Sequence, residues 1–376
     1  MCPSSGRETR IQATPRPETA PWAGAVRWDP MCYYRYVFQC AARRGLGGTT
    51  YAGAVNRAQP SRRQVVGAGV GAVAAALTGC TAGSGPERRL RLATGPPGGP
   101  YNAFGEALAR AVAASGPGTR IAPVSTAASV NNLRKLEDGT VDLALAMADA
   151  AEDAVLGREP FARPVPVTAL ARVYVNYTHL LVPSDGPVRS VEQLAGRPVA
   201  AGAAGSGVRV VAGRVLRAAG VGTDAAGARE RELGLADSVS ALRAGTVDAL
   251  FWSGGVPTPA LSELTRERPV RFLPLDGHVG ALRARHGPVY TAVTLPSGAY
   301  GLTEPVGTIG VGNYLLARPD LPDGAVRDVL RVVFDRWRDL LREVTAGARL
   351  EPRFAISTGA VPLHPGAVSY YRSVYG

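Results

Sequence analysis

Two glycine-rich stretches bring together the groups best suited to grip a small molecule. In Gly95-Pro-Pro-Gly-Gly-Pro-Tyr101, Gly98 and Gly99 leave the backbone open to a ligand, and Tyr101 adds a ring and a hydroxyl. In Gly202-Ala-Ala-Gly-Ser-Gly207, Gly205, Ser206 and Gly207 offer backbone N–H groups and a further hydroxyl. Each stretch precedes apolar residues at helical spacing: Ala107, Leu108, Ala111 and Val112 after the first, Val211 to Leu216 after the second. The first N–H groups of a helix have no partner within it, and the helix dipole adds roughly half a positive charge there. Both features suit an anion. Neither stretch has the Lys-Ser/Thr of a phosphate-gripping P-loop or a regular G-x-G-x-x-G, so the identity of the anion stays open.

Ser206 is also the obvious nucleophile to consider. Its surroundings differ from the G-x-S-x-G elbow of a hydrolase. The four imidazoles are His179, His278, His286 and His364, and His278 and His286 are not at ligand spacing. No H-E-x-x-H, cysteine pair or carboxylate cluster points to a metal, and no cofactor is expected. A serine-dependent hydrolase with a triad assembled at long range remains the enzymatic alternative.

The elements that must position these loops follow from periodicity. Leu90, Leu92 and Thr94 alternate as in a strand, and a helix is expected from Phe104. The same plan occurs twice. Gly139-Thr-Val-Asp142 and Gly245-Thr-Val-Asp248 are separated by almost the same distance as Gly98 and Gly205. Each GTVD should end a helix at its glycine and start a strand. Two α/β units of one plan predict a two-lobed α/β protein. Val167 to Pro183 reads as a strand passing between lobes, and Thr308 to Leu316 as a second crossing or lobe-one strand. Val326 to Val344 reads as one long amphipathic helix with Trp337 on its apolar face.

The chain has 376 residues and a net charge of +12, which raises the possibility of nucleic acid as a partner. The charge is unevenly spread: residues 1–80 carry ten arginines against Glu8, Glu18 and Asp29, and the rest has no basic run or aromatic–basic interleaving. No nucleic-acid partner is expected. All four cysteines, Cys2, Cys32, Cys40 and Cys80, lie in the same N-terminal part, so the body should have no disulfide. Arg62-Arg63, a weakly apolar run from about Val65, and Leu77-Thr-Gly-Cys80 resemble a twin-arginine lipoprotein signal over residues 61–80. The run is shorter than the roughly 20 residues of a membrane span. Cys80 would then be lipidated and anchor the chain to the outer face of the cell membrane. Residues 1–60 read as a non-structural leader or an over-long start, and 81–87 as a tether.

The body resembles the TAXI family, the solute-binding subunits of tripartite ATP-independent periplasmic (TRAP) transporters. The resemblance rests on LATGPPGGPYNAFGEALA, STAASVNNLRKLEDGTVDLALAMADAA, VRSVEQLAGRPVAAGAAGSG, GTVDALFWSGGVPTPAL, PVYTAVTLPSGAYG and GAVPLHPGAVSYY, in that order. It implies a two-lobed periplasmic-binding-protein-like (type II) fold with a ligand cleft between lobes. Lobe one would be 88–177 with 303–376, and lobe two 178–302. It implies a non-enzymatic extracytoplasmic receptor that passes a small acidic solute, anionic or zwitterionic, to TRAP membrane subunits. A binding subunit feeding a sensor kinase is the alternative. Carried over residue by residue, the resemblance places Gly98, Gly99 and Tyr101 in the first loop and Ser129 and Asn132 in the S-x-x-N of the second. It adds Gly205, Ser206 and Gly207 as a carboxylate grip, Trp252, Ser253, Gly254, Gly255 and Pro257 at a strand end, and Tyr290 and Tyr300. Asn102 stands where the family often has a second aromatic. Ala146-Met-Ala-Asp149 lacks the family's frequent Gln, which points to a different ligand.

Overall fold

The computed structural model describes residues 87–376 except 117, 223–226, 343, 345–349 and 351. The leader, the signal and Cys80 lie outside the described residues. Ten strands form one continuous sheet, and its order explains how two similar halves are joined.

The first half is β1 (Arg88–Ala93), α1 (Pro100–Ala114), β2 (Thr119–Val124), α2 (Ser129–Glu137), β3 (Leu143–Met147) and α3 (Ala148–Leu156). Strands β1, β2 and β3 are parallel. The second half repeats the plan with β5 (Pro198–Ala200), α4 (Gly207–Ala218), β6 (Arg229–Arg231), α5 (Leu235–Arg243), β7 (Ala249–Gly254) and α6 (Pro259–Glu267), again with parallel strands. Two long antiparallel strands link the halves: β4 (Thr168–Pro183) and β10 (Val306–Ala317). The sheet runs β2-β1-β3-β10-β4-β7-β5-β6, with β8 (Val270–Phe272) beside β4 and, after helix α7 (Val279–His286), β9 (Tyr290–Leu295) beside β10. β4 pairs with β10 through its first part and with β7 from Tyr177 to Leu181. Two α/β halves of one plan, joined by two long antiparallel strands, give the two-lobed α/β architecture.

Both GTVD turns do the same work. Gly139 (φ 72°) and Gly245 (φ 69°) take the left-handed conformation that a helix end needs and a side chain disfavours. Asp142 accepts a hydrogen bond from the Arg91 backbone N–H at 2.8 Å, and Asp248 pairs with the Arg197 guanidinium at 3.2 Å. In each copy the turn's aspartate therefore ties the new strand to the neighbouring one.

Where the linking strands cross, Gly310 has no room for a side chain: a Cβ there would lie 2.7 Å from Val293. The apolar face of α1 sits on the sheet through Phe104 and Leu108, both fully buried. The helix itself starts earlier than its apolar pattern, at Pro100, whose missing N–H costs nothing in a first turn. The expected helix over 326–344 is interrupted. α8 (Asp323–Asp335) ends at Arg336, which leaves helical geometry (φ −114°, ψ 16°), and α9 (Trp337–Leu341) starts afresh. Trp337 is half-buried, with the Arg338 guanidinium 4.5 Å over its ring.

His179 on β4 is fully buried, and burial depresses its pKa from 6.5 to about 4. A depressed folded-state pKa contributes stability that is present above 6.5 and lost as pH falls towards 4. Each unit within that window should cost about 1.4 kcal/mol. Denaturant unfolding between pH 7 and pH 4.5 should show this loss, and His179→Gln should remove that share of it. An identical pH slope in parent and variant would contradict the assignment.

Candidate functional site

Five helices direct their N-terminal ends at one cavity between the lobes. The N-cap residues are Gly99 of α1, Ala128 of α2, Met147 of α3, Ser206 of α4 and Gly234 of α5, and all five line it. Ser206 alone among the five uses its side chain as a cap, accepting the Arg209 backbone N–H at 3.2 Å. The space enclosed measures about 120 Å³. Among the described residues, none of those lining it is Asp, Glu, Lys, Arg or His. Its one ionisable side chain is Tyr101, and burial drives that phenol far above its ordinary range, so the lining is neutral. Positive potential in the cavity therefore comes from backbone N–H groups and helix dipoles.

Lobe one supplies Gly99, Tyr101 and Ser129 to the cavity. The Tyr101 hydroxyl donates to Asn313 Oδ1 at 2.6 Å and lies 3.3 Å from Ser129 Oγ, which itself accepts the Met147 N–H at 3.0 Å. Ala128, beside Ser129, has φ 85°, a conformation rare for a residue with a side chain. Lobe two supplies Ser206, Gly207, Trp252 and Ser253. The Ser206 hydroxyl proton is committed to the Ala203 carbonyl at 2.7 Å. Trp252 is fixed by donating its ring N–H to Thr258 Oγ1 at 3.0 Å. Gly254 makes room for that indole: a Cβ there would be 2.5 Å from Trp252 Nε1.

The lobes touch at the cavity's edge. The Asn131 N–H donates to the Gly205 carbonyl at 3.1 Å. A Cβ on Gly207 would lie 2.6 Å from Met147 Sδ and 2.7 Å from Ser129 Oγ.

The remaining sequence-derived residues have other places. Gly98 (φ 75°) forms the turn before α1 and is not in the lining. The Asn132 amide serves lobe one, donating to the carbonyls of Thr94 at 2.6 Å and Leu145 at 2.7 Å. The Gly255 carbonyl accepts from Thr258 Oγ1 at 2.7 Å, and Pro257 follows a cis peptide bond. The Tyr300 hydroxyl accepts the Thr258 N–H and lies 3.0 Å from His179 Nε2, behind Trp252 and away from the lining. Lining residues with no place in the sequence-derived set include Asn176 on β4, Ser238 and Leu235 on α5, and Phe251 on β7. Asn176 carried a signal, as a lone amide inside the apolar run of β4. Ser238 carried none.

Tyr290 belongs to a second polar centre, away from the cavity. Arg214 of α4 forms an ion pair with Asp153 of α3 and donates to the Tyr290 hydroxyl at 2.8 Å. Tyr290 in turn donates to Asp149 of α3 at 2.7 Å. Arg214 is 6% exposed and the two carboxylates essentially buried. Burial pushes the Asp153 carboxyl upward, and Arg214 opposes that shift. Removing one partner of a buried pair leaves the other charge uncompensated, at about 3–5 kcal/mol. Arg214→Met should therefore lower unfolding stability at pH 7 by that amount. A loss below about 1 kcal/mol would show that the pair does not hold the helices together.

Solved structures with a similar outline include the alkanesulfonate-binding protein SsuA from Xanthomonas axonopodis pv. citri bound to MOPS. It is 20% identical, covering 69% of this chain and 79% of that one, at a TM-score of 0.41. The periplasmic aliphatic sulphonate binding protein SsuA from Escherichia coli is 18% identical over 77% of this chain and 84% of its own, at 0.41. A binding protein component of an ABC phosphonate transporter from Pseudomonas aeruginosa is 12% identical over 68% and 79%, at 0.45. The model of the NMT1-like family matches residues 92–374, nearly the whole of the body. The chain belongs to the NMT1-like family.

Proposed function

We propose that this protein is an extracytoplasmic solute-binding receptor that closes on a small acidic solute and delivers it to a TRAP-type membrane carrier. The observation that carries the proposal is the meeting of five helix N-termini in one cavity without a charged side chain. At about 1 kcal/mol per end, such ends supply about 5 kcal/mol, more than half of the 8.2 kcal/mol of a micromolar affinity. Contact with Trp252, Phe251 and Tyr101 supplies apolar burial besides. A ligand touching both lobes favours the closed arrangement by its differential affinity for it.

Lipidation at Cys80 would hold the receptor at the outer face of the membrane, within reach of its carrier. A sensor kinase as the membrane partner is the alternative, and it leaves the cavity's role unchanged. Hydrolysis is disfavoured by the site itself. The Ser206 proton is held by a carbonyl, and among the described residues no imidazole lines the cavity to take it.

Thermal melting of the purified chain against a panel of small acids tests the receptor function. A ligand at 100 times its Kd should stabilise the fold by about 2.7 kcal/mol, a rise of a few degrees in Tm. Gly207→Val, which forces α4 away from Ser129 and Met147, should abolish that rise. A variant that responds like the parent would remove lobe closure from the account.

A further inference from the structure

The cavity lining holds two kinds of polar group. Besides the helix ends it contains Asn176 of β4 and Ser253 of β7, each 3% exposed. Asn176 Oδ1 and Ser253 Oγ are buried and have no hydrogen-bond partner in the protein. Thr178 Oγ1, which faces Ser253 across the β4–β7 ladder, is likewise buried and unpartnered. Asn176 and Thr178 are two apart on one strand and so share a face. Three neutral polar groups thus gather on one sheet face, two of them, Asn176 and Ser253, in the cavity lining. Buried polar groups are almost always satisfied, so two of them lining a ligand-sized cavity mark where a ligand group binds.

We infer that the ligand is a small acid with one negative charge and a neutral hydrogen-bond donor at its other end, with a hydroxy acid as the simplest case. The acid group takes the helix N-termini, and the hydroxyl donates to Asn176 with Ser253 beside it. This rests on the receptor function proposed above and narrows it. An amino acid's ammonium finds no carboxylate in the lining, so it would be buried without a counter-charge. A dicarboxylate's second charge finds no Arg, Lys or His. Size points the same way. At about 120 Å³ the space is close to that of an engineered cavity of roughly 150 Å³ that accepts benzene, so the solute has on the order of five to eight non-hydrogen atoms.

Isostere series isolate the claim. Calorimetric titration would compare lactate, propionate and alanine, and in parallel 3-hydroxybutyrate, butyrate and 3-aminobutyrate, with malonate and succinate as diacids. In the series that fits the cavity, the hydroxy acid should bind about tenfold tighter than the unsubstituted acid, the size of one net hydrogen bond. The amino acid and the diacids should bind more weakly than either. Asn176→Leu and Ser253→Ala should each bring the ratio of hydroxy-acid to unsubstituted-acid affinity from about tenfold towards one. Equal binding of hydroxy and unsubstituted acids means that water alone satisfies Asn176 and Ser253, and overturns the inference. Amino acids or diacids binding as tightly as the hydroxy acid also overturn it, and the receptor function survives both results. Binding by none of the acids removes the receptor function and the inference with it.

Discussion

A buried guanidinium fixes the geometry on which the cavity depends. Arg214 stands seven residues along α4 from Gly207, so about two turns separate them on nearly the same face. On the neighbouring α3, Met147 stands at the start and Asp149 and Asp153 further along. The two helices thus lie side by side with both N-termini at the cavity. They are held by Gly207 against Met147 at one end and by Arg214 against Asp153 at the other. Burying such a charge is tolerable only with its partners complete, and Asp149 and Tyr290 complete them. Because α3 follows a lobe-one strand and α4 a lobe-two strand, the pair joins the two halves of the molecule as well as two helices.

The cavity's electrostatics follow from this placement. A charged side chain would bring a fixed partner requirement and a long, mobile stem. Helix ends bring donors that are already oriented and part of the scaffold. Such ends are individually weak in water and gain in a neutral space of lower dielectric, and the Asn131–Gly205 hydrogen bond ties the two lobes together nearby. The hydroxyls of Tyr101, Ser206 and Ser238 are spent on protein acceptors and shape the wall. Asn176 and Ser253 are left for the ligand.

Much of the fold was legible because its signals are local. The GTVD turns need a left-handed glycine immediately after a helix, and that need is visible in both copies. The glycine-rich loops before α1 and α4 announced helix starts, although Pro100 begins α1 ahead of its apolar pattern. The break at Arg336 was not legible, because the apolar residues of α8 and α9 keep one helical pattern through it. The site was readable only in part for a similar reason. Tyr101 and Asn313 meet across 212 residues, and Tyr290 finds its partners on α3 and α4, so the role of each is decided by distant chain. Asn132 resembles a ligand-binding amide by motif, yet three carbonyl and hydroxyl groups of its own lobe surround it. A polar residue's type shows what it could bind, and the topology decides what it does bind.

The central claim is that backbone N–H groups from both lobes meet on one anionic ligand. The most direct measurement is an amide NMR titration of the 15N-labelled chain with a binding acid. The account predicts that the Tyr101, Ser129, Gly207 and Leu235 amides shift together and saturate at a single Kd. Saturating shifts confined to amides elsewhere, with these four unmoved, would contradict it.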